Sequence, residues 1–196
     1  MVRASVLPLV LAASLFAQQL PAPFDTPWFR KATRTVPMPA GHQLTVPAGF
    51  AVNVFAEGLQ FARFMALAPN GDVLLAEPVR NAGRITILRD ADGDGVAEKR
   101  ETFATGLNRP FGLAFAKNVL YVGNNDSVVR FAYKPGDLKA SAPPEPLAEF
   151  PRDGPPTRNI VFSRDGRKLY VSVGSESNKT AGEPAIRAAV SEYNPD

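Results

Sequence analysis

Four acidic residues in the middle of the chain have the spacing of a calcium-binding loop. Asp90, Asp92, Asp94 and Glu101 fit the pattern D-x-D-x-D-G-x5-E, and Gly95 stands where such a loop turns sharply. Carboxylates at alternate positions can surround a hard cation, and a final glutamate can add two oxygens. The residue types therefore predict a Ca2+ site. The alternative is an empty, solvated Asp-Gly turn.

The segments that flank this acidic loop are strand-like. Residues 85–88 precede it and residues 102–104 follow it, and both are rich in β-branched or aromatic side chains. The loop is therefore expected to lie on a β-hairpin, and a helix-loop-helix hand is excluded.

A sequence unit of about 47 residues recurs three times around this loop. Related phrases occupy residues 64–68, 111–115 and 158–162, and a polar break and a second apolar run follow each of them. Such a period indicates stacked supersecondary units. Because the apolar runs are short and lack helical periodicity, the prediction is an all-β partial β-propeller of about three blades, each a four-stranded antiparallel sheet.

The propeller is assigned to residues 49–196, and the Pro-rich stretch 140–156 is predicted to be a loop. Strands are predicted at residues 50–56, 64–68, 73–77, 84–89, 112–115, 119–123, 128–133, 159–162 and 168–173. Since closed propellers need about four to eight blades, three blades make an incomplete ring. The sequence is therefore expected to be a truncated propeller.

The N-terminal residues have the layout of an export signal. Arg3 precedes an apolar run that ends at Phe16, so residues 1–17 are predicted to be a signal peptide with Ala17 as a plausible cleavage position. The apolar run is too short to span a bilayer comfortably, and no membrane span is expected in the mature, exported chain. Residues 18–48 are predicted to form a Pro-rich arm that contains the single His42 and Trp28.

The composition is that of an ordinary globular protein. Hydrophobic residues make up 45% and charged residues 21%, the net charge is +3, and there is no cysteine. The basic residues are scattered without runs and do not alternate with aromatic side chains, so no nucleic-acid partner is expected.

Several segments, taken in order, resemble the soluble quinoprotein glucose/sorbosone dehydrogenase family. They are residues 47–50, 68–77, 90–101, 106–115, 120–124, 128–131, 157–162 and 168–175. The resemblance implies a six-bladed β-propeller that uses pyrroloquinoline quinone (PQQ) to oxidise a sugar or an aldehyde. It covers nearly all of the chain after the arm.

The resemblance also implies particular site residues. In such enzymes a histidine shortly before the third phrase acts as general base, and its position here is occupied by Pro155, which cannot accept a proton. Arg158 and Asn159 match the family phrase and are implied to contact the cofactor, with a structural role at the start of a strand as the alternative. The chain is therefore expected to be inactive alone.

Two other functions stay open at this stage. A non-enzymatic propeller that binds a partner or a carbohydrate agrees with Pro155 at the base position. A propeller hydrolase of the lactonase type would need a central metal, for which Glu77 or Asn124 are conceivable ligands.

Overall fold

The computed structural model describes residues 32, 34, 36–37, 39–42, 44–79, 82–177 and 182–195. The chain divides into two compact units, Met1–Thr45 and Val46–Asp196. The predicted signal peptide, residues 1–17, lies outside the described residues, as does most of the arm at 18–48, including Trp28. Within the first unit, His42 is exposed and its backbone amide donates a hydrogen bond to the carbonyl of Pro39. Among the described residues, no helix has the length and apolar character needed to cross a membrane.

The second unit consists of three antiparallel sheets. The first is β1 (Phe64–Leu67), β2 (Val73–Glu77), β3 (Gly83–Arg89) and β4 (Lys99–Leu107). The second is β5 (Gly112–Ala116), β6 (Val119–Gly123), β7 (Ser127–Ala132) and β8 (Glu145–Glu149). The third is β9 (Arg158–Phe162), β10 (Leu169–Val173) and β11 (Ala189–Tyr193). In each sheet, strands that are consecutive in sequence are neighbours in space, as in a propeller blade.

The first strands of the three sheets are neighbours in space. Strand β1 packs beside β5, and β5 packs beside β9, so these three strands are the innermost ones of successive blades. The fold is therefore a partial β-propeller, as the sequence predicts. The chain passes from sheet to sheet at one end of the blades, which we call the crossover end, and the acidic loop lies at the opposite end.

Apolar side chains fill both junctions between the sheets. Leu74, Ile87, Phe103 and Phe131 belong to the core between the first and second sheets. Tyr121, Ile160 and Leu169 belong to the core between the second and third. The second junction is especially close at two glycines: a Cβ atom added to Gly112 would lie 2.6 Å from the Arg158 carbonyl oxygen, and one added to Gly123 would lie 2.5 Å from it. The backbones approach so closely that only glycine fits there.

The register of the first sheet differs by one residue from the 47-residue repeat. The pair Phe64–Ala76 faces the second sheet, just as the pair Gly112–Gly123 faces the third. The residue equivalent to Gly112 is therefore Phe64, and Met65 lies on the opposite face. Because side chains alternate along a strand, a shift of one residue reverses which face of the sheet each side chain occupies.

Most predicted strands are confirmed, and two predictions are wrong. Residues 50–56 form no strand, because this segment makes only isolated contacts, such as Asn53 to the Gly95 carbonyl, and the side chains of Phe50, Val52 and Val54 stay exposed. The predicted loop at 140–156 contains β8, whose Pro146 is tolerated because β8 is an edge strand paired with β7 through a register shift. The third sheet has three strands among the described residues rather than four.

Candidate functional site

The loop that carries Pro155 lies at the crossover end and is organised by a buried arginine. Arg158, at the start of β9, has no solvent exposure. Its Nη1 donates to the carbonyls of Pro155 at 2.8 Å and Thr157 at 3.0 Å, and its Nη2 donates to that of Pro151 at 3.0 Å. The guanidinium therefore holds residues 151–157 in a fixed shape. This is a structural role at the start of a strand, the alternative to cofactor contact.

A second buried arginine, in the connection between β10 and β11, supports the same loop. Nη2 of Arg187 lies 2.5 Å from both the carbonyl oxygen and Oδ1 of Asp153. Arg187 is almost completely buried, whereas Asp153 is largely exposed. Burial lowers the pKa of Arg158, and the neighbouring positive charge of Arg187 lowers it further. The loop is thus built over two buried cations that repel each other.

Two polar side chains at the crossover end remain exposed. Asn159, next to Arg158, points away from the second sheet, and its Oδ1 accepts a hydrogen bond from the amide of Ile160. Arg63, just before β1, is exposed, and its guanidinium carbon lies 5.8 Å from the centre of the Phe111 ring. This distance is within the range of a cation–π contact. Both side chains can still offer donors to a ligand at this end of the blades.

Glu77, one of the conceivable metal ligands, is already engaged. Its carboxylate accepts hydrogen bonds from Arg84 Nε at 2.9 Å, from the Gln60 amide at 2.5 Å and from the Thr86 hydroxyl. Burial alone would raise the pKa of Glu77, but the hydrogen bonds from Arg84 and Thr86 outweigh it and lower that pKa. Asn124, the other conceivable ligand, is buried, and its Nδ2 contacts the hydroxyl of Ser127. The carboxylate of Glu77 is therefore occupied, whereas Asn124 Oδ1 is buried without a hydrogen-bond partner among the described residues.

The acidic loop brings together three of its four predicted ligands. Oxygen atoms of Asp90, Asp92 and Asp94 lie within 4.8 Å of one another and of a fourth carboxylate, which belongs to Glu98. Glu101 instead lies in β4, where its carboxylate is 3.9 Å from Lys139 Nζ. The difference arises because β4 begins at Lys99, so that Glu101 is already part of the sheet. The loop joins β3 to β4, as expected for a hairpin.

The aspartates of this loop also order their own backbone. Asp90 accepts hydrogen bonds from the amides of Gly93 at 2.6 Å and Gly95 at 2.9 Å, and Glu98 accepts one from the amide of Ala91 at 2.7 Å. The fold of the loop is therefore held by side chain to backbone bonds. Calcium binding stays a prediction.

Some residues of the site carry no clear signal in the sequence. Arg187 lies outside every strand, and nothing in its local sequence indicates burial beneath residues 151–157. Glu98 could have been predicted as part of the carboxylate group, because it lies in the same loop, only four positions after Asp94 in the sequence. Arg63 stands before an apolar run, and only its neighbour Phe111 from the next sheet reveals the contact.

The chain is thus a partial β-propeller with polar side chains at its crossover end. The TrAA12-like family model matches residues 44–192, and the chain belongs to this family. No curated protein matches the chain. The resemblance to quinoprotein sugar dehydrogenases is thereby confirmed at the level of the family.

Solved structures support the same fold. The PQQ domain of pyranose dehydrogenase from Coprinopsis cinerea, in its holo form, is similar with 21% identity and a TM-score of 0.55, covering 63% of this chain and 30% of that one. A protein of carbohydrate-active enzymes family AA12 from Trichoderma reesei has 18% identity and a TM-score of 0.60, covering 72% and 38%. The PQQ-bound aldose sugar dehydrogenase of Streptomyces coelicolor has 16% identity and a TM-score of 0.55, covering 74% and 47%. The chain thus spans less than half the length of each of these proteins.

Proposed function

We propose that this chain supplies blades of a PQQ-dependent oxidoreductase that acts on a sugar or an aldehyde. The observation that carries the proposal is the TrAA12-like match over residues 44–192. The names of two similar solved proteins, a pyranose dehydrogenase PQQ domain and a PQQ-bound aldose sugar dehydrogenase, support the cofactor and the substrate class.

The crossover end offers groups that fit an anionic quinone. When bound, PQQ accepts a hydride from the substrate. Asn159 can donate through Nδ2, because the hydrogen bond to Ile160 uses only its Oδ1, and Arg63 presents an exposed positive charge beside an aromatic ring. Arg158 fits less directly, since both of its Nη atoms already donate to carbonyl oxygens. Its contribution is to hold residues 151–157 beside Asn159.

The same loop lacks a group that can take the substrate's hydroxyl proton at position 155. Proline has no proton acceptor in its side chain, and the carbonyl of Pro155 is held by Arg158. General-base catalysis contributes about 100-fold to 10,000-fold to an enzymatic rate. The chain alone is therefore expected to bind the cofactor weakly and not to turn over.

A binding assay and a turnover assay test the two parts of this proposal separately. Equilibrium dialysis of the chain with PQQ should show binding that weakens in Asn159→Ala and in Arg63→Ala, and that is unchanged in Lys117→Ala, a change in the β5–β6 turn at the opposite end. With PQQ, glucose or sorbosone and an artificial electron acceptor, the chain should show no turnover. The absence of PQQ binding, or robust turnover by the unmodified chain, would contradict the proposal.

A second candidate is a non-enzymatic propeller that binds a partner or a carbohydrate, and Pro155 at the base position favours it. Introducing Pro155→His into a full-length version that carries all the blades separates the two candidates. A dehydrogenase that lacks only its base should gain quinone reduction in this variant, whereas a binding module should gain none. Retained carbohydrate binding without PQQ affinity would favour the second candidate.

Calcium at the acidic loop is a further part of the proposal. Its support is the group of four carboxylates at Asp90, Asp92, Asp94 and Glu98, because hard cations prefer oxygen ligands. Calorimetric titration with Ca2+ should give heat that Asp92→Asn combined with Asp94→Asn abolishes. Asp137→Asn, a carboxylate in the β7–β8 connection, serves as the control. A flat titration at millimolar Ca2+ would remove calcium from the proposal.

Export is proposed from residues 1–17. Expression with the N-terminus intact should yield a processed chain outside the cytoplasm that begins at Gln18, and N-terminal sequencing of the secreted fraction tests this. An unprocessed chain that stays in the cytoplasm would contradict export.

A further inference from the structure

A polar cavity lies on the first sheet, on the face that points away from the second sheet. It is lined by side chains of β3 and β4 and by Gly58 and Leu59, and its volume is about 230 Å³. We call it the first-sheet cavity. Since a cavity of about 150 Å³ is enough to hold benzene in a protein interior, the first-sheet cavity has room for a small organic molecule.

The wall of the first-sheet cavity is fastened to the sheet at two points. The amide of Gln60 donates a hydrogen bond to Oε1 of Glu77 at 2.5 Å, and Nη2 of Arg100 donates to the carbonyl of Glu57. Gly58, between these two points, has a φ of 65°, in the left-handed region that favours glycine. A Cβ atom added to Gly58 would lie 3.7 Å from Nη1 of Arg100. The glycine therefore leaves space beside this guanidinium.

Two arginines that line the first-sheet cavity keep unused hydrogen-bond donors. Arg84 donates to Glu77 through Nε at 2.9 Å and Nη2 at 3.2 Å, which leaves its Nη1. Among the described residues, Arg100 donates only through Nη2, which leaves its Nε and Nη1. Thr102, directly opposite Thr86 in the sheet, adds a hydroxyl to the lining. Guanidinium donors of this kind suit a carboxylate or another oxyanion.

The charged side chains that line the first-sheet cavity leave one positive charge without a partner in the described part of the chain. Glu77 is paired with Arg84. The carboxylate of Glu101 lies 3.9 Å from Nζ of Lys139, so that its charge is also offset. Arg100 bonds to a backbone carbonyl instead of a carboxylate. A ligand that carries a single negative charge would balance Arg100.

We propose that the first-sheet cavity binds a small hydroxy acid with a single negative charge. Its carboxylate pairs with Arg100 and accepts a hydrogen bond from Nη1 of Arg84, and one of its hydroxyl groups bonds to the hydroxyl of Thr102. A dianion such as phosphate fits less well, because its second charge is repelled by the nearby carboxylate of Glu77. The binding does not depend on PQQ or on turnover.

Calorimetric titration of the chain with gluconate, in the absence of PQQ, tests this site. The unmodified chain should bind one gluconate, and more tightly than it binds phosphate. Arg100→Gln should weaken the affinity about tenfold or more, because a charge-assisted hydrogen bond is lost. Lys99→Gln is the matched control, since it removes the same charge from the neighbouring position of β4, on the opposite face of the sheet. It should bind gluconate as the unmodified chain does.

A second variant keeps the wall of the first-sheet cavity intact. Thr102→Val preserves the shape of the side chain and the bond of Arg100 to Glu57, but removes the hydroxyl. It should weaken gluconate binding about fivefold, the size expected for a neutral hydrogen bond, and leave the affinity for acetate unchanged, because acetate has no hydroxyl. Equal losses for gluconate and acetate would contradict the assigned role of Thr102.

Three further outcomes would overturn the proposed site. The first is a chain that shows no saturable binding at tens of millimolar gluconate. The second is an equal loss of affinity in Lys99→Gln and Arg100→Gln, which would indicate attraction to the net charge of the chain instead of binding in the cavity. The third is tighter binding of phosphate than of gluconate. Thermal melting of each variant confirms that it is folded.

Discussion

The buried charges of the first sheet are paired with opposite charges, whereas the buried Arg158 of the third sheet contacts no carboxylate. Asp72 accepts hydrogen bonds from Arg89 Nε at 2.8 Å and Nη2 at 2.7 Å, and the equally buried Glu77 is held by Arg84. In the third sheet, the guanidinium of Arg158 bonds only to backbone carbonyls. Its Nε has no partner among the described residues.

The two regions use their buried charges for different structural purposes. The ion pairs of the first sheet join neighbouring strands, and Asp72 also lies near the hydroxyl of Tyr133 from the second sheet, so they strengthen the blade and its junction. The arginines of the third sheet shape a loop instead of a strand pair. Functional loops commonly rest on such a rigid scaffold. The positive charge of Arg158 thus serves the loop through the carbonyls of Pro151, Pro155 and Thr157.

Removing Arg158 should have the largest effect on stability. Arg158→Met leaves the carbonyls of Pro151, Pro155 and Thr157 without their donors, and we expect a loss of about 3 kcal/mol in the free energy of unfolding. Urea denaturation measures the loss, with the exposed Arg164→Met as the matched control. If both variants unfold at the same urea concentration, the loop does not depend on this guanidinium.

Breaking an ion pair of the first sheet should cost somewhat less. Asp72→Asn keeps the shape of the side chain but removes its charge, and because Arg89 is partly exposed, water can compensate part of the loss. We expect about 2 kcal/mol, below the usual cost of breaking a fully buried pair. A double-mutant cycle with Arg89→Met should show strong coupling between the two positions. Additive effects would mean that the pair contributes little.

Acid should act on the first sheet before the third. Burial alone would raise the pKa of Asp72, but the hydrogen bonds from Arg89 and Asn70 outweigh burial and lower that pKa. The pKa of Glu77 is lowered as well. A lowered carboxyl pKa stabilises the fold at pH values above the ordinary carboxyl range, and this stabilisation is lost as the pH falls through the folded-state pKa.

The melting temperature should therefore fall as the pH decreases below about 4, and the fall should be smaller in Asp72→Asn, because that side chain no longer titrates. Differential scanning calorimetry at several pH values measures both curves. Parallel curves for the two proteins would show that Asp72 does not contribute to the acid sensitivity.

The smallest effect is expected at an exposed carboxylate. Hydrogen bonds from the Ser163 hydroxyl and the Arg167 amide lower the pKa of Asp165 to about 2. Because Asp165 lies in an exposed turn, Asp165→Asn should leave the melting temperature at neutral pH almost unchanged. NMR titration should find the low pKa in the unmodified chain. A marked drop in melting temperature would show that local turn bonds matter as much as the buried pairs.

The strands were predictable from sequence because they depend on local patterns. The runs at Val73–Glu77 and Val119–Gly123 are apolar, short and bounded by turn residues, and both match the observed strands. The segment at 50–56 has the same kind of pattern but finds no neighbouring strand to pair with. Strand β8 was missed because prolines indicate a loop unless the strand lies at an edge, and edge position is a property of the whole sheet.

The candidate site was less predictable than the fold. The aspartates at positions 90, 92 and 94 are close in sequence, so their proximity follows from loop length alone. The contact between Arg187 and Asp153 joins residues 34 positions apart, and no local pattern indicates it. The same holds for Arg63 and Phe111, which immediately precede β1 and β5.

The amino-acid sequence by itself determined the repeated blades and the hairpin that carries the acidic loop, because both depend on residue types within a short stretch. Only the tertiary structure decided which face of each strand is covered, that Glu98 joins the aspartates while Glu101 belongs to the sheet, and that Arg158 is enclosed by carbonyls. These features depend on how separate blades pack against each other. That packing determines which atoms surround a side chain, whereas the formation of a strand depends largely on neighbouring residues in the sequence.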